Sequence, residues 1–578
     1  MKKLPLDLSM DASTRNCMFI VGGLLLMLAL ARLLIFPLLF PLQISPDQSM
    51  FVAIGELLLQ GKRLYVDIFD VNPPLAFYVH MLPVVVSRLF TIPAPQAFAF
   101  TIIGCWLYSV GFSSWLLWKQ AKHQEAFLFI PLVLSFSCLT LWLSRMDEFG
   151  QREHIFLLLF FPYFIVRWLR WNGSGAISGS PVDSDVANGR AREGSVSAKA
   201  AIIAGSLAAI GLFFKQYYLG AAVILELLWF MERPRWRNFV APETIAVAVL
   251  GVLYSVCILA MPQDMKDGYF SFMVPIFAAG YGEYGTSIMF QFVGWAQMWN
   301  ERIYLLIIAC ALGMALMRCS TLIMPLMAFS LFGLAAYLLQ GQPWLNHALP
   351  FVAGTYMLLG VEAAIGVCFL RQYALAVLKR FDRGWFDSAR LDAVWMGAIL
   401  IWQGQIAVQV ISEQLQRTSE ADKLDLALVG YKGQAARADS DTLCAVILRY
   451  TKIGDPVLFI TRSIAPGYPL LLQTKRAPAS RYLHGMLLPT LIYASDKASS
   501  DSGKAKMDGF KAKVIADYKE DIRSKRPKLI LIQNTRMWDI LEDSKFIADP
   551  IFKDYQFAGI VDDHRIYIHH DALMPSDQ

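Results

Sequence analysis

Pro74-Leu-Ala-Phe-Tyr-Val-His-Met-Leu-Pro-Val-Val-Val-Ser-Arg-Leu-Phe-Thr-Ile92 is the stretch on which the fold turns. It has the length of a membrane span, but His80, Pro83, Ser87 and Arg88 interrupt it. The apolar stretches that follow, Ala97 to Trp118 and Ala126 to Leu143, are cleaner and long enough to cross. If all three crossed, the basic linker Lys119, Lys122, His123 would fall outside, against the preference of basic residues for the cytoplasmic side. Laying Pro74 to Ile92 on the outer membrane surface puts that linker inside, together with Arg167 and Arg170 after the next short span.

Working outward, Lys2, Lys3 and Arg15 place the N-terminus in the cytoplasm. The run Cys17 to Phe40 exceeds a signal-peptide core and lacks a small-residue cleavage site, so it reads as a retained first span. Further spans are expected at about Ile155 to Val166, Ala200 to Phe214, Tyr218 to Met231, Thr244 to Met261, Ile303 to Met317, Thr321 to Leu339, Leu349 to Leu370 and Leu391 to Val410. Basic residues at Arg190, Arg192 and Lys199, at Arg233, Arg235 and Arg237, at Arg318 and from Arg371 to Arg390 then all lie inside. This gives about 11 spans, an odd number, and so a C-terminus outside. The Gly-, Ser- and Asp-rich loop Asn172 to Ser197 reads as a flexible cytoplasmic connector.

The bulk numbers agree. Of 578 residues 56% are hydrophobic and only 17% charged, with a mean hydropathy of +0.45, which excludes an ordinary soluble protein. Seven of the eight cysteines sit in or beside apolar segments, leaving Cys444 alone in the polar part, so neither a disulfide framework nor a zinc pattern is available. After Ile411 the composition turns soluble. Strand-length apolar runs at Pro456 to Thr461, Lys528 to Gln533, Phe557 to Val561 and Arg565 to His569, with a helical Lys504 to Arg526, predict a small α/β domain over 412–578 following a membrane module over 1–411. No Gly-rich phosphate loop follows its strands, so no nucleotide site is expected, and no nucleic-acid partner.

Candidate chemistry gathers at the outer ends of the spans. In Ile44-Ser-Pro-Asp-Gln, Ser45 suits an N-cap, Pro46 the first helical position and Gln48 a capping-box spacing, starting a helix that stops at Gly61. Asp47 in its first turn either complements the helix dipole, worth about 0.3–1 kcal/mol, or serves a ligand. The cluster Ser144-Arg-Met-Asp-Glu-Phe-Gly-Gln-Arg-Glu-His154 is either a solvated turn or a site where Arg145 or Arg152 holds a phosphate beside Asp147 or Glu148. Lys215, between two apolar segments, either snorkels or binds a ligand, and so does Arg32, far along the first span. His347, in the outer loop Gln340 to Pro350, suits a phosphate oxygen or hydroxyl as well as a loop anchor beside Trp344.

Together these pieces resemble the GT-C superfamily of membrane glycosyltransferases, in the branch of protein O-mannosyltransferases and lipid A aminoarabinose transferases. The resemblance rests on Asp47 after the first span, the helix to Gly61, Tyr65 with Asp67, Pro73-Pro74-Leu75, Asp147, Phe213-Phe214-Lys215 and the outer C-terminal domain. Motifs cover about the first 220 residues, and the rest agrees only in layout. Relatives often carry two adjacent acids in the first loop; here Gln48 follows Asp47.

The resemblance implies a GT-C-like all-α bundle in a bacterial inner membrane, with surface helices and a periplasmic α/β domain. It implies transfer, with inversion, of a sugar from a polyprenyl-phosphate donor to an acceptor glycan, lipid or protein. Asp47 would be the general base, with Asp147 and Glu148 as further catalytic acids. Lys215, Arg145, Arg152, His347 and Arg32 would meet the donor phosphate, and Tyr65, Glu56 and His154 the substrate. A divalent cation, if one takes part, would sit on Asp47 and Asp147; no other cofactor is implied. Rival readings are a polyprenyl-diphosphate glycan ligase, a transporter and a non-catalytic envelope-assembly protein. The ligase is disfavoured by the Pro-Pro-Leu segment, and the transporter by the lack of a duplicated pattern between the two halves.

Overall fold

Lipid satisfies no backbone hydrogen bond, so a chain this apolar has to build its membrane part from helices, and it does. The computed structural model describes residues 12–119, 149–173, 196–232, 234–285, 296–342, 344–380, 408 and 442–573. The helices are α1 Ala12–Leu39, α2 Pro46–Leu59, α3 Pro74–Val79, α4 Met81–Phe90, α5 Ala94–Lys119, α6 Arg152–Gly173, α7 Ala198–Phe213, α8 Leu219–Glu232, α9 Pro242–Leu259, α10 Ala296–Leu316, α11 Ile323–Gln340 and α12 Leu345–Arg380, followed in the C-terminal region by α13 Leu443–Tyr450, α14 Gly467–Gln473, α15 Leu487–Asp496, α16 Asp501–Lys525 and α17 Arg536–Asp543. Among the described residues five segments are long and apolar enough to cross a membrane: Ala94–Leu117, Arg152–Trp171, Pro242–Leu259, Ile323–Gln340 and Asn346–Leu370. Shorter apolar helices lie at Ala29–Leu39, Ala198–Phe213 and Ile303–Leu316. The spans expected at 126–143 and 391–410, the loop 174–195 and the boundary at 411/412 lie outside the described residues.

Packing divides the chain into two compact units. The first comprises Met1–Ile35, Ile102–Ile258 and Thr286–Gln414; the second comprises Phe36–Thr101, Leu259–Gly285 and Leu415–Gln578.

In the first unit α6 is the hub. Its span is 94% buried in protein, with Phe156, Leu158, Ile165, Val166 and Arg167 all at 0% exposure, whereas the α9 span is only 17% buried and leaves Val249, Val252 and Val256 open to the apolar solvent a membrane provides. Small residues let α7 close on its neighbours: a Cβ on Gly211 would lie 3.1 Å from the Phe156 backbone, and one on Gly205 only 2.2 Å from the Glu243 carbonyl. A charge as deeply buried as Arg167 has to be paired. Its guanidinium donates to both Glu226 oxygens and, at 2.8 Å, to Glu243, while Arg170 binds Glu243 from the other side. This network ties α6, α8 and α9 at one end of the unit.

The second unit joins the first loop to the C-terminal domain. Its sheet runs β2-β1-β3-β5-β4, with β1 Pro456–Ile460, β2 Ala477–Pro478, β3 Leu529–Gln533, β4 Tyr555–Val561 and β5 His564–His569; β2, β1 and β3 are parallel, β5 and β4 antiparallel. Central β3 reads Leu-Ile-Leu-Ile, each 0% exposed, as a strand covered on both faces should. The four expected strands appear within two residues and the expected helix within three; the two-residue β2 was not expected. Residues 36–101 pack onto this domain: Phe69 donates its N–H to the Arg481 carbonyl at 2.9 Å, Phe69 and Tyr482 rings lie 5.3 Å apart, and Gln473 Nε2 donates to the Leu42 carbonyl at 2.9 Å. Pro74 to Ile92 forms two helices, α3 and α4, broken at His80, not one; Leu82, Val85, Leu89 and Phe90 remain exposed while Pro83 and Val84 are buried, an amphipathic arrangement.

Arg167→Met strands buried Glu226 and should lower stability by about 3–5 kcal/mol. Thermal unfolding in detergent should show a clear drop, while Arg523→Ala, on an exposed ion pair, should shift it little. Equal shifts would contradict the pairing argument.

Candidate functional site

Each unit carries a cluster of buried polar side chains beside a helix start. In the second unit it lies around the start of α2. Ser45 is the N-cap residue with extended backbone (φ −78°, ψ 163°), Pro46 opens the helix, and Gly61 follows its end at φ +87°, a conformation glycine adopts without cost. The expected capping box does not form. Ser45 makes no side-chain cap bond, and Gln48, 1% exposed, has neither amide atom hydrogen-bonded among the described residues. Burial of Ser45, Gln48 and Ser49 turns these side chains inward, and Ser49 Oγ donates to the Pro46 carbonyl at 2.7 Å instead. Asp47 is half-buried in this first turn.

A tight loop follows. Tyr65 sits at φ 60°, is 1% exposed, and donates its hydroxyl to the Asn72 carbonyl at 2.6 Å; its ring packs 4.6 Å from that of Tyr269. Its hydroxyl thus holds the loop. Asp70, 0% exposed, receives both the backbone N–H and the side-chain amide of Asn72 on one oxygen, each at 2.8 Å, and its other oxygen is buried without a partner among the described residues. A buried carboxylate oxygen left open in this way is costly unless something fills it. Sequence reasoning passed over Asp70; the signal was its place three residues before Pro73-Pro74. Glu56 is held by Arg88 at 2.6 Å and Gln60 at 3.0 Å, a half-exposed link between α2 and α4.

The cluster in the first unit forms where α6 and α12 begin and α7 ends. Glu153, 0% exposed, accepts from Lys215 Nζ at 2.5 Å and from Asn346 Nδ2 at 3.3 Å, and His347 Nε2 lies 3.8 Å away. Lys215 caps the short helix Gln216–Tyr218, with its ammonium 5.7 Å from the Tyr217 ring, and Tyr217 donates to Gln340 at 3.0 Å. His347 stands edge-on to Trp344 at 5.3 Å, so the anchor and the polar site coincide. His154, 1% exposed, accepts the Gly150 N–H at 2.9 Å and caps its own helix start. Arg152 precedes Glu153 and acts on it electrostatically. The structure therefore brings together Lys215, His347 and Arg152 around Glu153, a residue the sequence reading left without a role. Arg32 lies within α1, with its side chain outside the described residues, as are Arg145, Asp147 and Glu148. Among the described residues no three His, Cys, Asp or Glu side chains group closely enough to hold a metal ion.

No protein-family model and no curated protein matches the chain. Solved structures do. ArnT from Cupriavidus metallidurans, in its apo state and bound to undecaprenyl phosphate, is similar over 94% of this chain and 97% of its own, at 11% identity and a TM-score of 0.52. The oligosaccharyltransferase AglB from Archaeoglobus fulgidus, in complex with an inhibitory peptide and a dolichol-phosphate, is similar over 93% of this chain and 70% of its own, at a TM-score of 0.41. At this identity the likeness to ArnT is one of fold.

The Tyr65 loop depends on one close approach: a Cβ on Gly268 would lie 1.9 Å from the Tyr65 carbonyl oxygen. Gly268→Ala should cost about 1–3 kcal/mol and speed proteolytic cleavage in residues 61–72. Gly509→Ala, with open space around it on α16, should leave both unchanged or improved. Equal behaviour of the two variants would contradict the packing.

Proposed function

We propose that this chain is an integral-membrane glycosyltransferase that moves a sugar from a polyprenyl-phosphate donor to an acceptor glycan, lipid or protein, with inversion, on the outer face of a bacterial inner membrane. The observation that carries this reading is the fold: it matches, nearly end to end, that of a protein solved with undecaprenyl phosphate bound. In this reading residues 1–411 form the membrane module, with the N-terminus in the cytoplasm, and 412–578 form an outer domain.

No nucleotide sugar is available outside the cytoplasm, so the donor has to be lipid-linked. Asp47 takes the proton of the acceptor hydroxyl as that oxygen attacks the anomeric carbon, and the bond from that carbon to the phosphate oxygen breaks on the opposite side, which inverts the centre. The bonding pair leaves with the phosphate, which gains a negative charge. Arg152, Lys215 and His347, held around Glu153, oppose that charge as it develops. Arg145 and Arg32 reinforce them, and Asp147 with Glu148 orients the acceptor.

General-base catalysis is worth about 10²- to 10⁴-fold. Purified Asp47→Asn protein that remains monodisperse should lose transfer from a polyprenyl-phosphate sugar by that factor. Transfer at the wild-type rate would remove Asp47 from the mechanism.

A further inference from the structure

Uncharged polar groups also gather in the C-terminal domain, at the carboxyl ends of its central parallel strands. The chain leaves β1 for β2 on one side and leaves β3 for β4 and β5 on the other, so the two connections part between β1 and β3. Helices cover both faces of the sheet. A Cβ on Gly467, at the start of α14, would lie 3.2 Å from the Phe459 ring, and on the opposite face Trp538 of α17 stacks on Tyr567 at 6.5 Å. Where neighbouring connections part in this way, an open α/β sheet leaves a crevice outside the strand ends, and ligands of such sheets bind there. Gln533 at the end of β3 and His564 at the start of β5 are paired across the ladder, so their side chains share a face. It is the face of Phe459, whose ring lies 6.5 Å from the imidazole.

Three groups there have hydrogen-bonding capacity to spare. His564, 4% exposed, meets the Asp562 carbonyl through Nδ1 at 2.6 Å. A carbonyl only accepts, so Nδ1 carries the proton and Nε2 is a bare acceptor, buried with no partner among the described residues. Burial holds this imidazole below the usual histidine range and so keeps it neutral near pH 7. Thr535 is the N-cap residue of α17 but makes no cap bond, and its Oγ1 is buried without a partner among the described residues. Gln533 accepts the Arg462 backbone N–H on Oε1 at 2.8 Å, which leaves its amide N–H groups to donate. One acceptor, one hydroxyl and one donor, none of them charged, complement neighbouring sugar hydroxyls, each of which can give and take a hydrogen bond. An anion, by contrast, offers His564 Nε2 no proton. We propose that the carboxyl ends of β1 and β3 form a glycan-binding site, in which one sugar hydroxyl donates to His564 Nε2 and adjacent hydroxyls bond Thr535 and Gln533. The inference rests on the glycosyltransferase reading above only in naming the bound glycan as the acceptor.

Binding to the full chain in nanodiscs provides the test, with a panel of neutral hexose, deoxyhexose, pentose and N-acetylhexosamine oligosaccharides and with inorganic phosphate as the charged comparison. At least one oligosaccharide should bind, and phosphate should not displace it. Thr535→Val keeps the shape of the side chain and removes a hydroxyl that bonds nothing in the protein among the described residues. Gln533→Glu keeps the acceptor for the Arg462 N–H and replaces the donor. His564→Phe keeps a ring but offers no acceptor. Each variant should weaken glycan binding by about two- to tenfold, the loss of one hydrogen bond, and Thr535→Val should unfold at the wild-type temperature or above it. Binding by no member of the panel, wild-type binding by Thr535→Val and Gln533→Glu, or displacement of the glycan by phosphate would overturn the proposal. A lower unfolding temperature for Thr535→Val with glycan binding intact would do the same, in favour of a merely structural threonine. The functional reading fails separately: a chain that binds glycan here but moves no sugar from a polyprenyl-phosphate donor would overturn that reading and leave this site standing.

Discussion

Charge buried in a hydrocarbon-facing bundle has to find its counter-charge within the protein, and α6 meets that demand twice. At its start Glu153 takes Lys215; about 21 Å further along the axis, at 1.5 Å per residue, Arg167 takes Glu226 and Glu243. Each pairing recruits a different set of helices, α7 and α12 at one end and α8 and α9 at the other. At the Arg167 end two arginines meet two glutamates, and Trp171 donates its N–H to Glu226 at 3.2 Å. At the Glu153 end Lys215, Asn346 and His347 gather on one buried carboxylate.

The second unit is built on a different constraint, close backbone approach. Gly268 beneath Tyr65, Gly280 beneath Thr490 and Gly55 beneath His80 each admit a neighbour's carbonyl to where a Cβ would stand. These contacts bind residues 36–101 and 259–285 to the C-terminal domain as one body and fix the turn that carries Asp70 and Asn72. The Gln48 amide and the Asp70 oxygen, without hydrogen-bond partners among the described residues, lie within this packed body.

Much of this was readable in the sequence, for reasons that differ by element. The strands were visible because buried strands are short continuous apolar runs, whereas β2 is only two residues, one of them Pro478, and has no pattern to show. The interruption of Pro74 to Ile92 was visible, but its splitting at His80 was not, since the break follows from α2 packing against that carbonyl through Gly55. Ser45 and Gln48 satisfied the local spacing of a capping box, and tertiary burial overrode it. Glu153 was hidden by its neighbours: between Arg152 and His154 it reads as part of a mixed-charge turn, and its partners lie 62 and 193 residues away. Lys215 and His347, which the structure places beside Glu153, stood out in the sequence by a simple rule, a polar residue at the end of an apolar span.

The central claim is that a polyprenyl phosphate binds at the Glu153–Lys215 end of the first unit. Photo-crosslinking tests it most directly, with undecaprenyl phosphate carrying a diazirine next to the phosphate and adducts mapped by mass spectrometry. The account predicts adducts in residues 149–156, 213–218 and 340–350, competed by unlabelled undecaprenyl phosphate. Adducts confined to the Arg167 end of α6, or none that the unlabelled lipid phosphate competes away, would contradict it.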